Sequence, residues 1–112
     1  MVRVFSSSRY HIDKKGIQKF AESYVHKIKN IDLNINIIFV GKRKMRSVAS
    51  EYKHEDVALP VLSFPINDDS LLGEILICFP QVVLLAAERE KTTETMFELM
   101  VEHGINNLLQ LP

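Results

Sequence analysis

His103 and Asn107 stand four residues apart, the spacing by which one face of a helix presents two donors to a single metal ion. In a zinc helix both would be imidazoles, whereas here the second is a neutral amide. Hydrolytic zinc needs about three protein donors and one open position to lower the pKa of its bound water. The remaining histidines, His11, His26 and His54, fall in loops or on the polar side of a helix. The donor chemistry therefore predicts little zinc affinity, with His103 a boundary residue satisfied by hydrogen bonds.

A second group is basic. Lys42, Arg43, Lys44 and Arg46 open a predicted helix, and Lys53 follows about two turns on. Cations at a helix N-terminus oppose the macrodipole at a cost of about 0.3–1 kcal/mol each, so local helix stability does not explain them. A phosphate partner does; the plainer alternative is a solvated face. Cys78 could pair with His103 as nucleophile and base, but it ends an apolar strand and reads as a packing residue. The Asp68-Asp69 pair is explained by turn chemistry.

The elements that must position these groups follow from pattern. The 112 residues are 46% hydrophobic, enough for one domain spanning 1–112 with one core. No run approaches the roughly 20 apolar residues of a membrane span, and the first residues lack a signal peptide's apolar core, so a cytoplasmic protein is expected. The single cysteine excludes an internal disulfide or a multi-cysteine zinc knuckle. Formal charge is zero, yet residues 1–53 carry 12 Lys/Arg against 4 Asp/Glu, and residues 54–112 carry 2 against 10. The amino-terminal half favours a polyanion, unless folding interleaves the halves.

Val2 to Phe5 reads as a strand, followed by a Ser6-Ser7-Ser8 turn. Asp13 caps a helix whose apolar face is Ile17, Phe20, Ala21, Tyr24, Val25 and Ile28, with Asn30 ending it. Leu33 to Val40 suits a strand entering the sheet interior, stopped by Gly41. The basic helix buries Met45, Val48, Ala49 and Tyr52. Val57 to Phe64 contains Pro60, which cannot donate to a ladder, so this strand lies at an edge or begins after the proline. Pro65 to Ser70 is a loop, and Leu71 to Phe79 a strand in which Gly73 marks a bulge or a close approach. Pro80 opens a helix, and Thr92 or Thr93 caps a last one with a stripe of Met96/Phe97, Met100/Val101, Gly104/Ile105 and Leu108/Leu109. The order β-α-β-α-β-β-α-α predicts an α+β fold with a four-stranded mixed sheet. Both βαβ crossovers are expected to be right-handed and parallel, and the hairpin to supply the antiparallel strand.

Three segments, in order and spacing, resemble the YbeY family of bacterial rRNA-maturation endoribonucleases. They are Tyr52-Lys53-His54-Glu55-Asp56 leading to Val61-Leu62-Ser63-Phe64-Pro65, then Leu72-Gly73-Glu74-Ile75-Leu76-Ile77, then Val101-Glu102-His103-Gly104-Ile105-Asn106-Asn107-Leu108. The resemblance implies a YbeY-like fold, action on ribosomal RNA or the small ribosomal subunit, and zinc held by the histidines of H-G-x-x-H-x-x-x-x-x-H. It assigns His103 and Lys53 to the catalytic centre. His103 and Gly104 match; Asn107 replaces the second histidine, Gln110 a glycine and Pro112 an aspartate, and the third histidine position lies one residue past Pro112. Lys53 stands at a functionally important arginine, keeping charge but losing the planar fork that suits phosphate. Leu59-Pro60 replaces Thr-Asp. The expected function is a YbeY-like rRNA maturation factor with impaired zinc binding. Alternatives are a catalytically inactive RNA- or ribosome-binding module using Lys42, Arg43, Lys44, Arg46 and Lys53, and a peptidase-like metallohydrolase.

Overall fold

A computed structural model describes residues 1–7, 9–30, 33–68 and 70–110. Ser8 and Asp69, both assigned above to turns, and Pro112 lie outside the described residues. The elements are β1 (Val2–Phe5), α1 (Lys14–Lys29), β2 (Ile35–Val40), α2 (Lys42–Lys53), β3 (Val61–Pro65), β4 (Gly73–Cys78), α3 (Phe79–Glu88) and α4 (Thr93–Leu108). The predicted order holds. The helix caps form as the side chains suggest: the Asp13 carboxylate accepts from the Gly16 amide at 3.0 Å, and the Thr92 hydroxyl from the Thr95 amide at 3.0 Å. Asn30 closes α1 in the left-handed conformation (φ 53°) that asparagine tolerates.

The four strands lie in the order β1-β2-β4-β3. β1 and β2 are parallel, β2 and β4 are parallel, and β3 runs antiparallel to β4. The expectation of a parallel second crossover from β2 to β3 is therefore corrected: β4 takes the interior place, and β3 is the antiparallel strand at the edge. Composition explains the exchange. Ile75, Leu76, Ile77 and Cys78 are buried on both faces, as an interior strand requires, whereas the β3 segment is flanked by Pro60 and ends in Pro65. β3 begins only after Pro60, whose carbonyl still accepts from the Cys78 amide at 2.9 Å.

Alternation along the strands builds two cores. Ile35, Ile37, Phe39, Ile75 and Ile77 face α1, α3 and α4, whose buried residues include Ala21, Val25, Val82, Met96, Val101 and Ile105. On the other face, Leu62, Leu76 and Cys78 pack against Met45, with α2 the helix that covers them. Tyr52, expected on the buried face of α2, is instead 61% exposed, its ring edge-on to Phe64 at 5.2 Å. No helix among the described residues is long and apolar enough to cross a membrane.

Gly73 sits in continuous register with both neighbours, so it marks a close approach rather than a bulge. A Cβ there would meet the Phe64 carbonyl oxygen at 2.5 Å and Leu108 Cδ2 at 2.5 Å. At Gly104 the nearest atoms are those of the Ile75 side chain, from 2.7 Å. A side chain can adjust where a strand backbone cannot. Gly104→Ala is thus expected to cost about 1–3 kcal/mol in urea unfolding, and Gly73→Ala distinctly more; equal stabilities would contradict this packing. Burial holds the Cys78 thiol above its ordinary value of 9.0. Its contribution to stability is full below that pH and lost as pH rises through the folded value. The thiol is expected to resist a disulfide reagent at neutral pH until the protein unfolds; prompt native-state modification would contradict its burial.

Candidate functional site

α4 forms because its apolar residues recur every three to four positions, and the same periodicity turns His103 and Asn107 outward, both exposed. Their turn is anchored on two sides. The Ser63 hydroxyl donates to the Gly104 carbonyl at 3.1 Å, tying α4 to β3, and the Tyr24 hydroxyl donates to Asn106 Oδ1 at 2.8 Å, tying it to α1. The helix is thereby pinned immediately beside His103.

β3 carries the other half of the site. Its side chains alternate, so Val61 and Ser63 face α4 while Leu62 and Phe64 face α2. Phe64 meets Tyr52, one residue before the exposed Lys53 that ends α2. The edge strand thus has the His103–Gly104 turn on one side and the Tyr52–Lys53 turn on the other. Both pieces of the sequence resemblance converge on one strand.

The basic start of α2 lies elsewhere on the same helix. Gly41 is its N-cap, with no side-chain cap and no acidic residue in the first turn, so nothing within that turn offsets Lys42, Arg43 and Lys44. Together with Arg9 and Tyr10 they line a cleft of 790 Å³ beyond the carboxyl ends of β1 and β2. This places them at the carboxyl end of the parallel strands, not beside His103, which lies on a helix of the opposite sheet face. Arg9 and Tyr10 were missed in the sequence, where they look like a plain polar loop; the tendency of α/β sheets to bind ligands beyond the carboxyl ends of their strands was the available signal. Tyr10 is held by stacking on Phe79 at 4.4 Å. Arg46 lies 3.7 Å from Asp56, both largely exposed. Such a pair contributes about 0–1 kcal/mol and leaves the guanidinium available to a stronger anion.

Folding interleaves the charges that are segregated along the chain. The lysine-bearing α1 packs on the same sheet face as α4 with Glu94, Glu98 and Glu102, while on the other face Asp56 lies near Arg46, and Glu51 and Glu74 line a cleft with Lys44. Cys78 is buried against α2 and separated by the sheet from α4, so it does not pair with His103. Among the described residues, no three His, Cys, Asp or Glu side chains come together in a group fit to hold a metal ion. One imidazole with an amide one turn on is a poor donor set for hydrolytic zinc. These residues do not fit that metal.

The model of the endoribonuclease YbeY family matches residues 4–109. The endoribonuclease YbeY of Pseudomonas putida is 34% identical over 87 residues, covering 72% of this chain and 55% of the relative. That of Buchnera aphidicola is 30% identical over 105 residues, covering 88% and 66%. A solution structure of a Thermotoga maritima protein superposes with a TM-score of 0.71 at 26% identity, covering 96% of this chain and 71% of that one. The chain spans between about half and two thirds of the length of these curated relatives. A match running through every strand and helix, with its shared motifs meeting at one edge strand, places this chain in the YbeY endoribonuclease family.

Proposed function

We propose that this protein acts in ribosomal RNA maturation by holding small-subunit RNA along α2 and β3, with zinc binding at His103 impaired. The observation that carries the reading is the cationic start of α2, which has no acidic residue in its first turn and opens on a cleft that Arg9 also lines. Lys42, Arg43, Lys44 and Arg46 contact phosphates, and Lys53 extends the track to the edge strand. Lys53 offers a point charge rather than a bidentate fork, so it attracts phosphate with less directional control than an arginine. His103 is exposed on a pinned helical turn and can exchange a proton with RNA laid across β3. The family is metal-dependent, but the residues described do not fit a zinc site, and no step is assigned to a metal.

Asn107 favours a second reading, a binding module that has lost cleavage. It is separated from the first by activity: cleavage of a small-subunit rRNA fragment that disappears in His103→Ala supports a nuclease, and binding without cleavage supports the module. Peptide turnover would favour the peptidase-like alternative and contradict both.

Two outcomes are expected. Elemental analysis of purified protein finds well under one zinc per chain, because ligands govern affinity and Asn107 supplies no imidazole; near-stoichiometric zinc, lost in His103→Ala, would overturn this. In a salt titration with single-stranded rRNA, the Lys42/Arg43/Lys44→Ala variant binds more weakly, and the slope of log K against log salt flattens by about 2, from about 0.7 per lost phosphate contact. Sequence preference changes little, since phosphates carry no base identity. Equal affinities and slopes in a folded variant would reduce the cluster to a solvated face.

A further inference from the structure

α2 does not close the sheet face it covers. Beside it lies a cleft of 510 Å³ whose apolar floor includes Ile38 and Leu76. Tyr52 and Phe64 supply its aromatic wall, with the Tyr52 ring largely exposed. Three charged residues line the same space: Glu51, Glu74 and Lys44. Glu74 is the odd one. It stands in the second position of a strand whose later residues are apolar, in the sheet row Arg3, Asn36, Glu74, Phe64. Among the described residues, it accepts a hydrogen bond from Asn36 Nδ2, at a long 3.3 Å. A carboxylate has about four acceptor sites, so most of its capacity is left for a ligand in the cleft it lines.

Apolar floor, exposed aromatic ring, acceptors and a cation are the elements of a nucleotide subsite. The position of Lys44 strengthens the match, because Lys44 and Val40 line this cleft and the cationic one alike. The two spaces meet at the first turns of α2, one lined by cations for a phosphate, the other shaped for what the phosphate carries. An ionised carboxylate only accepts, so the base must donate. Guanine offers two adjacent donors, N1–H and the exocyclic amine, on one edge. Uracil offers one N–H flanked by two carbonyls that repel a carboxylate.

Resting on the RNA reading above, we infer that the cleft between α2 and β4 is a base-reading subsite selective for guanine. The base stacks on Tyr52, its Watson–Crick edge faces Glu74, and Lys44 holds the adjoining phosphate.

The test uses three fluorescein-labelled RNA pentamers, all-uridine or carrying one central guanosine or inosine, titrated by anisotropy at low salt. Wild-type protein is expected to bind the guanosine strand about tenfold more tightly than the all-uridine strand, the discrimination typical of a good bidentate contact. The inosine strand, which keeps N1–H and lacks the amine, falls between them. In Glu74→Gln the guanosine advantage shrinks to within about twofold while all-uridine binding is unchanged; Tyr52→Ala weakens all three strands. Wild-type binding of the three strands alike, or a full guanosine preference in Glu74→Gln, overturns the subsite and leaves RNA binding standing. No binding of any strand overturns the RNA reading as well. Should Glu74→Gln fail to fold, the wild-type order of guanosine, inosine and uridine decides.

Discussion

The alternation of one edge strand governs the arrangement of this protein. Because successive β3 side chains point to opposite faces, Ser63 reaches the α4 backbone while Phe64 reaches the Tyr52 ring. Two helices from opposite sheet faces are thereby referenced to one short strand, and a shift of one residue in its register would exchange their partners. The register is fixed by its antiparallel pairing to β4, from Val61 opposite Ile77 to Pro65 opposite Gly73. At that last pair Gly73 admits the Phe64 carbonyl and the Leu108 side chain into space that a Cβ would fill. The site therefore depends on a backbone contact at Gly73.

Much of this was legible in the sequence, and the limits have physical causes. Periodicity located α1, α2 and α4, Pro80 marked the start of α3 to within a residue, and the side-chain chemistry of Asp13 and Thr92 located two of the other starts. Pro60 correctly pointed β3 to an edge and delayed its start to Val61. Which hairpin strand would enter the sheet was misread, because connection length fixes only their relative direction. The unbroken apolar run of β4 carried the missing information: a strand buried on both faces belongs inside. Tyr52 was placed in the core by helical spacing, yet α2 ends at the sheet margin, where a ring on the inner face still meets solvent.

The candidate site was legible in parts rather than as an arrangement. The resemblance named the Tyr52–Lys53 and His103–Gly104 segments together, and the fold brings Tyr52 against Phe64 and Gly104 against Ser63 on β3. It did not predict that the basic start of α2 would diverge from them toward the carboxyl ends of the parallel strands, because that depends on where β4 sits. Arg9 and Tyr10 gave no signal of their own; they join the cationic cleft through the sheet. At His103 the imidazole is present and exposed, while the amide at Asn107 changes what that helical turn can hold.

The central claim is that RNA lies along α2 and β3. Backbone amide NMR of the isotopically labelled protein tests it directly during titration with a small-subunit rRNA fragment. The account predicts shifts concentrated in Lys42–Lys53 and Val61–Phe64, with α1 and α3 largely unchanged. Saturable binding whose shifts fall on α1 and α3, with α2 and β3 silent, would contradict it.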